Sequence, residues 1–399
     1  MASFLSGIRV VSLSTGIAGP NAARGLAVFG AEVFKVESRA GGLDAFRSYG
    51  DNPEASPRFI EVNLNTRSLT LNLKNPQGIT LFKELVAKSD VVMDNFRPQV
   101  LPRLGLGPDD LLAINPRVIV VRMPGLGSQG PLSAYGTWGP TLTAYSGLTY
   151  LWNHPGQERP IGSQGVYPDY LTGAVVPAIV VAALLRRRRT GKGVAIDVAQ
   201  MDLAAYTLGT TFLDANVNGR DPQPIGNTSP HMEPHNSFPC LGDDRWCVIA
   251  VENDAQWAAL CAVIGEEGLA SDERFATLRA RKANRDQLFE IIASWTRNHE
   301  AASVMEQMQH AGVPAGVVQG GSDLAVDEQL EARGFIEIAD HPILGKMPMA
   351  GLPMHFSAGR HEALKSPPPL GSDNEYAITE ILGHSAEDLK RWEEEEVVY

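Results

Sequence analysis

Cysteine is scarce in this chain: Cys240, Cys247 and Cys261 are the whole supply in 399 residues. So small and odd a number excludes a disulfide scaffold and suits a reducing compartment. Positive charge is also short, with 34 Lys and Arg against 46 Asp and Glu and a net charge of -12. Nucleic acid is therefore not an expected partner. Long apolar runs are missing too. The longest, residues 174–185, contains Pro177 and falls short of the roughly 20 residues that span a membrane, so it reads as a buried helix with no membrane association. The opening MASFLSGIRVVSLS lacks the basic first residues and cleavage site of a secretory signal, and a cytoplasmic protein is expected. What is present is ordinary globular composition, 44% hydrophobic with 39 Gly and 27 Pro dispersed along the chain. That excludes disorder, and the length exceeds one core of usual size.

Residues 8–13 (IRVVSL) form a β-branched run. A small-residue turn, Pro20 at a helix start and a helix over 22–28 follow, and then a second strand over 32–36. Strand, helix, strand implies a parallel βαβ unit. The alternation recurs with strands at 68–73, 91–93 and 118–121 and helices at 76–88 and 108–114, so a doubly wound α/β domain extends to about residue 200. Residues 214–247 are rich in Pro, Gly, Asn and His and read as linker and loop. A strand (CVIAV) and helices at 255–264, 284–294 and 300–311 suffice for a second, smaller domain, and an acidic helix ends the chain.

Several motifs imitate known sites. Residues 16–20 (GIAGP), with Glu37 ending the next strand, resemble a dinucleotide fingerprint but lack its G-x-G core; only an anion-holding helix start survives. Residues 125–130 (GLGSQG) match G-x-G-x-x-G, yet Pro124 and Pro131 flank them, so a loop allowing close backbone approach is the plainer reading. His231, Glu233 and His235 suggest zinc, but Pro230 and Pro234 deny them the shared helical face. A G-x-S-x-G elbow is absent, because both GSQG tetrads, 127–130 and 162–165, lack its first glycine. Arg186 to Arg189 suit a helix C-terminus.

Asn95, Phe96 and Arg97 follow a strand directly, with Arg103 beyond. They suit a phosphate-bearing nucleotide at the carboxyl end of a parallel sheet, or are surface arginines beside a buried Phe. Asp169 precedes the apolar helix, where a capping residue and a covalent nucleophile look alike.

Taken in order, these segments resemble the class III CoA-transferases, the CaiB/BaiF family. The resemblance is carried by LSGIRVV (5–11) with AGP (18–20), GAEVFKVE (30–37), NTRSLTLNLK (65–74), DVV (90–92) with NFRP (95–98), LGL (104–106), NPR (115–117), GLG (125–127), SG (146–147), Asp169 and RTGKG (189–193). It implies an α/β fold with a large Rossmann-like domain built from both chain ends, a smaller α/β domain, and an interlocked dimer. The divisions expected are 1–213 (large domain), 214–245 (linker), 246–325 (small domain) and 326–399 (return to the large domain).

The resemblance also implies that Asp169 is the nucleophile of an acyl-CoA:carboxylate CoA-transferase working through aspartyl anhydride and aspartyl-CoA thioester intermediates. Coenzyme A would meet Ala18, Arg39, Leu71, Asn95, Phe96, Arg97, Arg103 and Thr137, and the glycine-rich loops and the segment near Gly226 and Asn227 are candidate walls of the closed reaction site. CoA arrives as part of the substrate, and no tightly bound cofactor or metal is implied. The partners are an acyl-CoA, a small carboxylic acid and a second subunit, identical or homologous. Thr15, Ile17 and Thr137 stand where the formyl-CoA transferase branch has His, Gln and Lys, which argues against oxalate-like acids. Trp138 stands in the segment where the α-methylacyl-CoA racemase branch has a catalytic His. A racemase on this fold and a non-catalytic CoA-binding subunit are the alternatives. Apolar loop residues and the Met-rich stretch 347–354 point to a larger or less polar acyl group.

Overall fold

The computed structural model describes residues 3–41, 43–48, 51–161, 165–358 and 361–399, so three residues of the second GSQG tetrad lie outside the described residues. The chain divides into two compact units. One comprises Met1–Thr149, Ser163–Arg220 and Glu328–Tyr399; the other comprises Tyr150–Gly162 and Asp221–Asp327.

The first unit is built on parallel strands β1 (Arg9–Ser12), β2 (Glu32–Glu37), β3 (Arg67–Thr70), β4 (Val91–Asp94), β5 (Ile119–Arg122) and β6 (Val194–Asp197), in the order β3-β2-β1-β4-β5-β6. This doubly wound order reverses between β1 and β4, which opens a crevice beyond their carboxyl ends. Along the chain run helices α1 (Ala18–Val28), α2 (Pro57–Val62), α3 (Pro76–Ala87), α4 (Pro108–Ile114), α5 (Gly139–Tyr145), α6 (Leu148–Leu151), α7 (Tyr167–Thr190), α8 (Gln200–Tyr206) and α9 (Gly209–Asn218).

The apolar strand runs are continuous because both sheet faces are covered. Val11, Phe34, Val92 and Val120 pack with Leu81, Phe82 and Leu85 of α3 and Leu111 of α4. Their neighbours Val10, Val33, Val91 and Ile119 pack with Leu26 of α1 and Val176 and Val180 of α7 on the other face. The chain's end joins the first face through Ile378, Leu389, Trp392, Val397 and Val398. There the Asn72 N–H donates to the Val397 carbonyl at 2.8 Å.

The second unit has an antiparallel sheet of β7 (His235–Pro239), β8 (Trp246–Ala250) and β9 (Ala315–Val317), in that order. Helices Asp254–Val263, Arg285–Thr296 and Ala301–His310 enclose a core of Phe238, Trp257, Leu260, Phe275 and Leu288. All three cysteines are buried and free.

Three expectations change. β7 falls within the stretch read as loop, because Asn236 and Phe238 pair with Ile249 and Cys247 of β8 in spite of the flanking prolines. The helix read as residues 174–185 extends over Tyr167–Thr190 and by length and composition could cross a membrane. Only one side of it is buried; Val181 and Leu185 are exposed. The methionine-rich stretch 347–354 begins in the hairpin of β10 (Ile336–His341) and β11 (Gly345–Ala350) and ends beyond it, with Met354 exposed. In the hairpin Met347 and Met349 pack on Val28, Ile60 and Leu64 rather than lining a cleft.

Candidate active site

The site begins with two helices that approach unusually closely. A Cβ placed on Gly25 of α1 would stand 2.9 Å from Pro177 Cγ, and one on Gly173 of α7 would stand 2.3 Å from Asn21 Nδ2. Gly173 and Pro177 lie one and two turns along the helix face from Asp169, as Asn21 and Gly25 lie from Ala18. The lack of side chains at the crossing thus brings the Asp169 carboxyl to the first turn of α1. Backbone N–H groups of Ala18 and of Asp169 itself favour its charged form, but burial outweighs them and pushes its pKa up to about 6. Asp169 Oδ2 is buried without a hydrogen-bond partner. It faces Gly139 at the start of α5, where a Cβ would stand 2.2 Å from it. A carboxylate left this basic and this poorly solvated is competent for covalent attack.

Around Asp169 lies a cleft of about 670 Å³, lined by Ile17, Phe46, Arg58, Glu61, Trp138 and Tyr170 among others. Burial raises the pKa of Glu61, opposed by Arg24 and the Tyr170 hydroxyl. A second cleft, of about 480 Å³, opens beyond the carboxyl ends of β1 to β4, with Lys35, Ser38, Leu71, Lys74, Phe96 and Arg103 in its wall. Lys35 is already engaged: its Nζ donates to the Ser14 carbonyl at 2.7 Å and pairs with buried Asp44. Lys74, whose Nζ donates to the Ala40 carbonyl at 2.9 Å, and Arg103 are the further cations among the described residues of that wall, and either suits a polyanion. A third cleft, of about 210 Å³, holds Arg97 with Asn95, Phe96, Tyr135 and Thr137.

Asn95 closes the switch point. It accepts from the Thr15 N–H at 2.9 Å and donates to the Thr15 carbonyl at 2.7 Å, tying the loop after β4 to the loop after β1. Asp94 shapes the same loop by accepting the Phe96 N–H at 3.1 Å. Burial pushes the pKa of Asp94 up to about 6 against the pull of Arg122, whose Nη2 holds the Pro98 carbonyl at 2.8 Å.

Of the residues singled out from the sequence, Leu71, Phe96 and Arg103 line the second cleft, and Arg97, Asn95 and Thr137 the third. Asn95 and Thr137 also border the Asp169 cleft. Ala18 contacts Asp169 directly rather than lining a cleft. Arg39 is exposed on the turn after β2, between Ser38 and Gly41 of the second cleft, and is not itself in the wall. Thr137 packs against Gly125, where a Cβ would stand 1.9 Å from its Oγ1, which accounts for the first glycine of the GLGSQG segment. Gly226 and Asn227 line a separate cleft of about 560 Å³ in the second unit. Glu233 pairs with Arg285 at 2.5 Å, and His235 Nδ1 lies 2.6 Å from the Asn227 carbonyl. Among the described residues no three His, Cys, Asp or Glu form a metal-binding group.

Sequence reading missed Gly139, Arg58, Glu61, Lys35 and Asp44. A cation within the apolar strand EVFKV was a signal for Lys35; the others carried none.

Residues 5–374 match the family described as CoA-transferase family III. The chain belongs to CoA-transferase family III. Among relatives of this family III chain, "Probable CoA-transferase Rv1866" of Mycobacterium tuberculosis is 33% identical over 98% of this chain, which spans only 50% of that protein's length. Succinyl-CoA–D-citramalate CoA-transferase of Chloroflexus aurantiacus is 31% identical over 99% of this chain and 98% of its own. The β subunit of succinyl-CoA–L-malate CoA-transferase of Chloroflexus aurantiacus is 32% identical over 96% of both. A crystal structure of a CaiB/BaiF family protein from Brucella suis superposes with a TM-score of 0.88 at 31% identity, covering 96% of this chain and 100% of that one.

Proposed function

We propose that this family III chain is an acyl-CoA:carboxylate CoA-transferase with Asp169 as nucleophile. One observation carries the reading: Asp169, whose Oδ2 is buried with no hydrogen-bond partner, lines a cleft large enough for an acyl group. Asp169 attacks the thioester carbonyl, giving an acyl-aspartyl anhydride and CoA thiolate. The thiolate attacks the aspartyl carbonyl of the anhydride, releasing the donor acid and leaving an aspartyl-CoA thioester. The acceptor carboxylate attacks that thioester, expelling thiolate and forming a second anhydride, and the thiolate then takes the new acyl group and frees Asp169. Every step exchanges one leaving group for another and needs no metal or redox partner. Restricted water protects both anhydrides from hydrolysis.

The nucleotide end of CoA fits the second cleft, with Lys74 and Arg103 for phosphates, Leu71 and Phe96 as apolar wall, and Arg39 at the rim. Arg97 and Thr137 then lie toward the thioester, and Asn95 and Ala18 position the loop and the nucleophile. The reading places the enzyme in the cytoplasm as an interlocked dimer of identical or homologous subunits. In support, α9 buries no residue of its own and leaves Phe212, Leu213 and Val217 exposed beside Tyr206. Large apolar side chains exposed together along one helix suit an interface.

Transfer is tested by supplying succinyl-CoA with a panel of carboxylic acids in deuterated water. New thioesters without α-carbon deuterium are the expected result. Deuterium wash-in without transfer contradicts the reading in favour of racemisation.

The raised pKa of Asp169 sets a pH dependence. The protonated carboxyl does not attack, so kcat/KM is expected to fall about tenfold per pH unit below pH about 6 and to level off above it. A pH–rate profile flat down to pH about 4 contradicts this.

A further inference from the structure

The setting of Asp169 depends on α1 as well as on its own helix. The first turn of α1 supplies the Ala18 N–H that favours the charged form of the Asp169 carboxyl, yet Ile17 at the N-cap makes no side-chain capping bond. No side chain at the helix start fixes that N–H, so the path of the incoming loop, residues 14–17, sets its direction. The loop lies directly on the turn: a Cβ on Gly19 would stand 2.2 Å from Ser14 Cβ and Oγ.

Asn95 holds Thr15 of this loop, as described, and two charged side chains hold the residues on either side. Lys35 Nζ donates to the Ser14 carbonyl at 2.7 Å and pairs with Asp44. Asp44 Oδ1 accepts from the Gly16 N–H at 3.2 Å and from the Phe46 N–H at 2.9 Å. Behind the pair, Glu37 Oε1 accepts from the Asp44 N–H at 3.1 Å and from Arg47 Nε at 2.9 Å. Lys35 and Glu37 alternate with Val36 on β2 and so share one face of the strand, which anchors the arrangement in the sheet.

The side chains of Lys35 and Asp44 are only 3% and 0% exposed. An ion pair buried so deeply generally contributes no more stability than apolar side chains of similar volume. Apolar side chains would fill the space, but they would leave the Ser14 carbonyl and the Gly16 N–H without these partners. Both residues belong to the wall of the second cleft and not to that of the Asp169 cleft, so any influence on Asp169 passes through the loop.

We propose that Lys35 and Asp44 are positioning residues for the transfer reaction: the buried pair fixes residues 14–17 and thereby the Ala18 N–H against Asp169. The proposal rests on the reading of Asp169 as nucleophile.

The test uses two double variants. Lys35→Met with Asp44→Ala deletes both ties to the loop and leaves no buried ion unpaired. Lys35→Met with Asp44→Asn keeps an amide oxygen for the Gly16 N–H. For each variant and the wild type, kcat and KM are measured with succinyl-CoA, and the Asp169 carboxyl is titrated by carboxyl-carbon NMR, its signal assigned by its loss in Asp169→Asn. Arg58, Glu61 and Tyr170 in the Asp169 cleft, and Arg24 paired with Glu61, are the same in all of them. A weakened Ala18 N–H disfavours the charged carboxylate. The alanine variant is therefore expected to raise the Asp169 midpoint by about 0.5–1 pH unit and to lower kcat by about 10–100-fold, with the asparagine variant between it and the wild type. An unchanged midpoint, or a loss confined to KM, overturns the proposal; should the alanine variant not fold, the same comparison is made on the asparagine variant. If the wild type forms no covalent adduct on Asp169 during turnover, the transferase reading fails instead, and the NMR midpoint still decides the role of the pair.

Discussion

Asp169→Asn is expected to lower CoA transfer by about 10⁴-fold or more while making the folded protein more stable than the wild type. The loss follows from the nucleophilic role proposed for Asp169, because an amide is not a nucleophile for a thioester. The gain follows from the burial that pushes the Asp169 pKa up to about 6. Between pH about 4 and pH about 6 the folded state holds a proton that the unfolded state has released, so wild-type stability falls as pH rises through that window. Above it the buried charge costs about 1–3 kcal/mol after allowance for solvent screening, and Asn removes that cost. Thermal melts at pH 4 and pH 8 measure both arms. The variant should match the wild type at the lower pH and exceed it at the higher. A variant less stable at pH 8, or one retaining more than about 1% of wild-type transfer, contradicts the assignment.

Gly139→Ala is expected to cost about 100-fold or more in kcat, because a displacement of about 1 Å at a reacting group has that order of effect. The new methyl would stand 2.2 Å from Asp169 Oδ2 and 2.6 Å from Val166 Cγ1, both on the start of α7. Neither neighbour is the end of a long flexible chain, so the carboxyl itself must move. CoA affinity, which draws on the second cleft, should change less than threefold. Gly268→Ala, with open space around its Cβ, is the control and should behave as wild type. An active Gly139→Ala enzyme would mean that the unpartnered oxygen is not the attacking one.

The sheet was legible because its strands are buried on both faces, which turns period-two alternation into runs such as VV at 10–11 and VVM at 91–93. Helices α3 and α4 were legible through Pro at their first position, residues 76 and 108. The start of α7 was not. Pro168 stands in its first turn, where proline is tolerated, but Pro177 inside the helix disfavours it locally, and tertiary contact with α1 overrides that: Pro177 gives up a hydrogen bond but packs on Gly25.

The site divides in the same way. Asp169 and the Asn95–Arg97 loop stand at segment ends, and the ordered resemblance to the family, not their local sequence, marks them. Arg58, Glu61 and Gly139 reach Asp169 only through the crossing of helices distant in sequence. Nothing local to Ser56-Pro57-Arg58 distinguishes an arginine that lines a cleft from one in solvent. Two methionines show the consequence: Met347 and Met349 of the Met-rich stretch pack in the core, whereas Arg58 and Glu61 line the Asp169 cleft from a helix that sequence reading passed over.

The central claim is that Asp169 forms a covalent bond to the substrate. The most direct measurement is the intact mass of the enzyme quenched during turnover with succinyl-CoA, followed by mapping of the modified peptide. An acyl or CoA adduct on the peptide containing Asp169, absent from Asp169→Ala, is the predicted result. An adduct that survives Asp169→Ala, or verified turnover with the modification on another residue, would contradict it.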